Sequence, residues 1–156
     1  MQEYSLGNPI FVSYLIAASI MILKLMAQGW MTVFRMIRSD AGLLNPEDLL
    51  PGPANRHPRP EQLTRNEYVD RSRRMHRNDI ENIPAFLACG LLYVAIGPSP
   101  IAANALFSVF VVARIAHTLA YGTRQRHEVR AILFSIGSIA VIIMAVQVLH
   151  GAIMAL

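Results

Sequence analysis

Arg74, Arg77, Asn78 and Glu81 stand at i, i+3, i+4 and i+7 in this chain. On a helix those four residues share one face. Arg114, His117 and Tyr121 repeat the pattern at i, i+3 and i+7, and Arg130 stands at the mouth of the last apolar run. All three groups lie in or beside apolar segments, where charge is costly and marks a ligand or ion pathway. Arginine binds a carboxylate through two parallel hydrogen bonds, asparagine matches an amide and glutamate takes an ammonium. A face carrying all three suits a small anionic or zwitterionic, peptide-like ligand. The competing reading is an interfacial salt-bridge ladder. A lone histidine in a helix is more often structural, but three aligned polar residues beside a second such helix weigh against that. Arg130 reads by position as a snorkelling anchor. Beside a thiol, its guanidinium would instead favour the thiolate and lower the thiol pKa from about 8.5. Tyr121 could donate a hydrogen bond to the same sulfur.

The chain offers no convincing Ser/His/Asp or Cys/His arrangement. Cys89 is its one cysteine, so no intrachain disulfide and no cysteine metal set is expected. With 54% hydrophobic residues in 156, gathered into long blocks, it reads as a single membrane domain. The net charge is +4, and 13 of the 14 Lys and Arg residues are Arg. Most flank apolar runs instead of forming a basic face, so no nucleic-acid partner is expected.

The elements that must position these residues follow from the apolar blocks. The first span covers about 10–34, with Lys24 as its only charge. It exceeds the roughly 20 residues that cross the hydrocarbon. Lys24 should snorkel or find an interhelical carboxylate such as Glu81. Between Ser39 and Gln62 lie five of the nine prolines, which predicts an extramembrane loop over about 38–64. Within it, Asn45-Pro46-Glu47-Asp48 predicts a short surface helix. Thr64-Arg65-Asn66-Glu67 reads as a capping box that starts the second helix. That helix turns apolar for a span over about 80–96, with a kink expected at Pro84. Gly97-Pro98-Ser99-Pro100 predicts a tight turn. Two further spans follow over about 101–121 and 129–149.

With four spans, the basic loop and the basic connection at 122–128 lie on one side, cytosolic by charge asymmetry. The N-terminus lacks Lys and Arg and the first apolar run is too long for a signal core, so no cleaved leader is expected.

The residues now gathered resemble one family. The stretches are Asn45-Pro46-Glu47-Asp48, Arg74-x-His76-Arg77-Asn78-Asp79-x-Glu81-Asn82, Gly97-Pro98-x-Pro100, Ala113-Arg114-x-x-His117-Thr118-x-Ala120-Tyr121, and Arg130. In this order they resemble MAPEG, the membrane-associated proteins in eicosanoid and glutathione metabolism, over nearly the whole chain. The likeness is greatest to the microsomal glutathione transferase branch, with the prostaglandin E synthase branch second. Ala131 and Phe134 stand where the synthase branch has serine and tyrosine. Leu49 stands where some transferases have a cysteine.

The resemblance implies an all-α membrane protein, a four-transmembrane-helix bundle over 1–156 assembling as a homotrimer, with glutathione between neighbours on the cytosolic side. It implies a glutathione-binding set of Arg35, Arg74, Arg77, Asn78, Glu81, His117, Tyr121 and Arg130. Arg35 would reach glutathione from the adjacent subunit, with Arg38 the competing candidate. Arg130 and Tyr121 are the catalytic pair, and no metal is implied. The implied reaction is transfer of glutathione thiolate to a hydrophobic electrophile, or reduction of a lipid hydroperoxide, drawn from the lipid bilayer. This is detoxification chemistry with peroxidase character. The alternatives are a prostaglandin E synthase-like isomerase and a non-enzymatic lipid-binding scaffold of the same architecture. The implied address is the endoplasmic reticulum in a eukaryote and the inner membrane in a bacterium.

Overall fold

The computed structural model describes residues 3–156. Four α-helices run in sequence among them: α1 (Pro9–Ser39), α2 (Glu67–Ala95), α3 (Pro100–Gly122) and α4 (His127–Met154). Two 3-10 turns, Pro46–Leu49 and Pro60–Leu63, lie between α1 and α2. The helices α1, α3 and α4 are each long and apolar enough to cross a membrane. α2 is not among them. Its apolar stretch runs only from Ile80 to Ala95 and still carries Glu81. α1 has 31 residues, about 46 Å at 1.5 Å per residue, well beyond a hydrocarbon core of about 30 Å.

The chain forms two compact units. One comprises Met1–Lys24 with Asp79–Leu156, the other Leu25–Asn78. The first packs four helical segments around aromatic rings. Phe86 stacks on Phe110 with centroids 4.1 Å apart, and Phe107 meets Phe86 edge-on at 6.1 Å. Tyr14 packs on Phe107 and donates its hydroxyl to the Leu87 carbonyl at 2.7 Å. The close approach of Tyr14 needs Gly90, where an added Cβ would lie 2.8 Å from the ring. Polar links also join α2 to α4: Tyr93 donates to Gln147 at 2.7 Å and Ser138 to Asn82 at 3.3 Å. Many isoleucines of α4, including Ile132, Ile139 and Ile142, stay exposed on the chain, as a lipid-facing surface requires.

The predicted turn between α2 and α3 is present. Gly97 takes φ +62 and donates its N–H to Val94 O at 3.1 Å, a left-handed conformation that glycine adopts without strain. Pro100 then opens α3 with its φ already helical. α2 continues through Pro84.

In the second unit α1 ends at a left-handed residue, Asp40, with φ 46. The loop that follows is held by Gln62. Its Nε2 donates to Asp40 Oδ1 at 2.6 Å, while its Oε1 accepts from Asn55 Nδ2 at 2.8 Å and Arg59 N at 3.0 Å. Arg59 also pairs with Asp40. The short helix expected at Asn45 forms as a 3-10 turn, capped by Asp48 Oδ2 accepting from Asn45 N at 3.2 Å. The cap of α2 differs from expectation. Asn66, not Thr64, is the cap, its Oδ1 accepting from Tyr68 N at 3.0 Å and Val69 N at 3.3 Å. Thr64 instead closes the preceding 3-10 turn, donating to Glu61 O at 2.6 Å.

Candidate functional site

The centre of the first unit holds a charge triad. Arg114 of α3 is 0% exposed and Asp79 of α2 is 1% exposed, and Arg114 NH2 donates to Asp79 Oδ1 at 2.5 Å. Lys24 of α1 donates to Asp79 Oδ2. Gly137 on α4 packs beside the Arg114 side chain, where an added Cβ would stand in ordinary contact, 3.5 Å from Arg114 Cδ. Lys24 thus finds a carboxylate, but it is Asp79, not Glu81. Asp79 stands in the family stretch but off the Arg74–Glu81 face, and its pairing was not expected. The signal was available: Asp79, Ile83, Phe86, Gly90 and Tyr93 follow helical spacing on an apolar face, and a lone acid on such a face needs a cation.

One turn along α3 from Arg114 lies His117, 4% exposed. Its ring meets Tyr121 edge-on, centroids 5.0 Å apart. Arg130 of α4 places its guanidinium carbon 4.5 Å above the Tyr121 ring. The short turn between α3 and α4, with Arg124 at φ 59, brings these two residues together. Arg130 Nε is buried with no hydrogen-bond partner among the described residues. A cation over a ring is held in place while its N–H groups stay open to an anion. In this same unit Glu81 is exposed, and no basic group pairs with it among the described residues.

The remaining sequence-derived candidates lie in the second unit. Arg77 is exposed and Asn78 half-buried. Arg74 pairs with Glu67 at 2.6 Å, as does Arg71 at 3.0 Å. The Arg74 hydrogen bond, ahead of the nearby positive charge, holds the Glu67 carboxyl below its usual range. Asp70, also in the first turn of α2, is held low chiefly by its hydrogen bond from Arg65 and further by Arg73. Arg35 is turned inward, donating NH1 to Tyr68 O at 3.1 Å with its guanidinium 4.4 Å from the Tyr68 ring. Arg38, in the last turn of α1, is exposed.

The geometry therefore brings His117, Tyr121 and Arg130 together. It does not make the Arg74–Glu81 stripe into a ladder of its own, because Arg74 pairs outside the stripe. Among the described residues no group of three or more His, Cys, Asp or Glu is placed to hold a metal ion.

An all-helical integral membrane protein with a buried cationic centre is the class these features define. Comparison with known proteins gives the family. The model of the MAPEG family matches residues 14–150, and the chain belongs to that family. It is 35% identical over 146 residues to the human (Homo sapiens) protein microsomal glutathione S-transferase 1, covering 94% of this chain and 93% of that one. To human prostaglandin E synthase it is 33% identical over 147 residues, with 94% and 93% covered. The mouse (Mus musculus) microsomal glutathione S-transferase 1 is 34% identical over 146 residues, with the same coverage.

Proposed function

We propose that this protein is a membrane-bound glutathione transferase with peroxidase activity. Arg130 over Tyr121 is the observation that carries the reading. A guanidinium fixed by a ring, with its Nε buried and unpartnered, is preorganised for an anion that appears during reaction. The anion assigned to it is the glutathione sulfur. The Tyr121 hydroxyl donates a hydrogen bond to the same sulfur. Arg77, Asn78, Glu81 and His117 bind the tripeptide's carboxylates, amides and ammonium, with Arg74 in support. Arg38 is exposed for contact with glutathione, whereas Arg35 reaches it only by leaving Tyr68. Similarity to the two glutathione transferases supports this assignment.

In conjugation the thiolate forms a carbon–sulfur bond to a hydrophobic electrophile and expels its leaving group. In peroxide reduction it attacks the hydroperoxide oxygen and releases an alcohol. The sulfenate takes up a proton, and the thiol of a second glutathione then converts the sulfenic acid to the disulfide and water. The electrophile or lipid hydroperoxide arrives laterally from the bilayer and glutathione from the cytosol. The chain acts as one membrane domain assembled as a homotrimer. Its membrane is the endoplasmic reticulum in a eukaryote or the inner membrane in a bacterium.

The similarity to prostaglandin E synthase supports a second reading, glutathione-dependent isomerisation of a prostaglandin endoperoxide. Ala131 beside Arg130 offers no hydroxyl to that chemistry. The test is a titration of detergent-solubilised protein with glutathione, followed by thiolate absorbance. It is run beside conjugation, peroxidase and prostaglandin H2 isomerisation assays. Thiolate formation with conjugation is the expected result. No binding at millimolar glutathione overturns the enzyme reading in favour of a scaffold. Isomerisation without conjugation overturns it in favour of the second reading.

A further inference from the structure

The second unit contains a cavity of about 910 Å³ that glutathione chemistry does not use. Its floor is Val33, Met36 and Ile37, at the basic end of the membrane-crossing helix α1. Ile37 is 75% exposed on the chain, so water alone would leave this floor poorly covered. α1 is longer than a hydrocarbon core of about 30 Å needs, and the basic asymmetry of the sequence sets its Arg38 end toward the headgroups. One wall is joined by side-chain links among Asp40, Arg59, Gln62 and Asn55. Glu47, Arg56 and His57 also line the cavity. These three side chains form no hydrogen bond or ion pair among the described residues. A mouth with open charge of both signs, above an apolar floor at a membrane surface, matches one common chemistry: a phosphate and an ammonium on an acylated stem.

We propose that this cavity binds the headgroup and upper acyl chain of a zwitterionic glycerophospholipid. Arg56 and His57 take the phosphate, Glu47 takes the ammonium, and the α1 floor receives the chain. The bound lipid pins the loop over 40–62 to the membrane surface. None of these residues belongs to the proposed glutathione site, so glutathione binding reports separately on that reading.

The test uses the full chain, delipidated in mild detergent. Native mass spectrometry follows the lipid retained from dioleoylphosphatidylethanolamine, dioleoylphosphatidylglycerol or dioleoylglycerol. One phosphatidylethanolamine per chain is expected to survive dilution that strips the other two. Glu47→Gln and Arg56→Gln should each weaken retention about tenfold, as losing one charge-assisted hydrogen bond implies. Glutathione affinity should not change. Trp30 gives a check on place. It is the chain's one tryptophan, lies three and seven residues before Val33 and Ile37, and is 71% exposed. Phosphatidylethanolamine brominated near the glycerol should quench it at lower mole fraction than brominated dioleoylglycerol. Equal retention of all three lipids with no effect of either substitution means annular lipid only and overturns the proposal. So does a preference for phosphatidylglycerol that survives Glu47→Gln, which is an anionic-lipid site. Displacement of the lipid by inorganic phosphate at equal concentration also overturns it.

Discussion

Arg114 and Asp79 meet at 2.5 Å in the centre of the first unit, one fully buried and the other nearly so. Lys24 is bound to the other oxygen of the same carboxylate. Two cations thus share one carboxylate, which is itself 1% exposed. This arrangement also fixes the α3 face from which His117 and Tyr121 project one and two turns further on.

Asp79 should accordingly be the most sensitive polar position in the chain. Asp79→Asn removes the carboxylate charge that Arg114 and Lys24 both bind and should cost about 3–5 kcal/mol. Lys24→Met leaves the Arg114–Asp79 pair intact and should cost much less. Thermal unfolding in detergent measures both. An Asp79→Asn protein as stable as Lys24→Met would show that the triad does not support the fold.

Arg130 should matter to turnover more than to affinity. Arg130→Ala is expected to lower kcat for conjugation about 100-fold, the scale of losing one preorganised anion donor. Glutathione affinity should fall less. Tyr121→Phe keeps the ring under Arg130 and removes only the hydroxyl, so it should be milder than Tyr121→Ala, which removes both. Steady-state kinetics with varied glutathione separates these outcomes. Equal losses in Tyr121→Phe and Tyr121→Ala would deny the ring any role in holding Arg130.

Gly90→Ala should destabilise by about 1–3 kcal/mol, because the new methyl overlaps the Tyr14 ring in a packed core. Gly52→Ala, with no atom within 4 Å of the added Cβ, should be neutral. Paired melting curves in one detergent compare them. Equal stability of the two variants would mean that Tyr14 yields freely.

The first turn of α2 should loosen in acid. The Asp70 carboxyl is held low by Arg65 and Arg73, so its folded pKa lies below the unfolded value of about 3.9. Its contribution is complete above that unfolded value and is lost as pH falls through the folded one. Arg65 is largely exposed, so solvent screening keeps the effect small. Protection of the Glu67–Arg71 amides, exchange being normalised to the intrinsic rate at each pH from 5 down to 2, should fall only below about pH 4. Asp70→Asn should reduce that acid-dependent step, leaving the share carried by Glu67, which Arg74 also holds low. Protection already lost near pH 5 would point to a carboxylate that is not held low.

The residues that name the family were all legible in the chain. Charge embedded in apolar segments is too costly to be incidental, so Arg74–Glu81, Arg114–Tyr121 and Arg130 announced themselves by type and spacing alone. Pro98 and Pro100 with Gly97 fixed a turn because their allowed φ values leave little else. The apolar lengths of α1, α3 and α4 determined membrane crossing. Which charge pairs with which was decided only by the fold. Glu81, Asp79 and Glu67 are all acids on α2, and spacing cannot tell which will face Lys24. Packing chose Asp79, because Phe86 and Tyr93 on its face are drawn into the core and carry it with them. Arg35 and Arg38 lie one helical turn apart and read alike. Only the position of Tyr68 turned the first inward and left the second exposed. Local rules fix what a segment is, whereas the partner of a long, charged side chain depends on how distant segments pack.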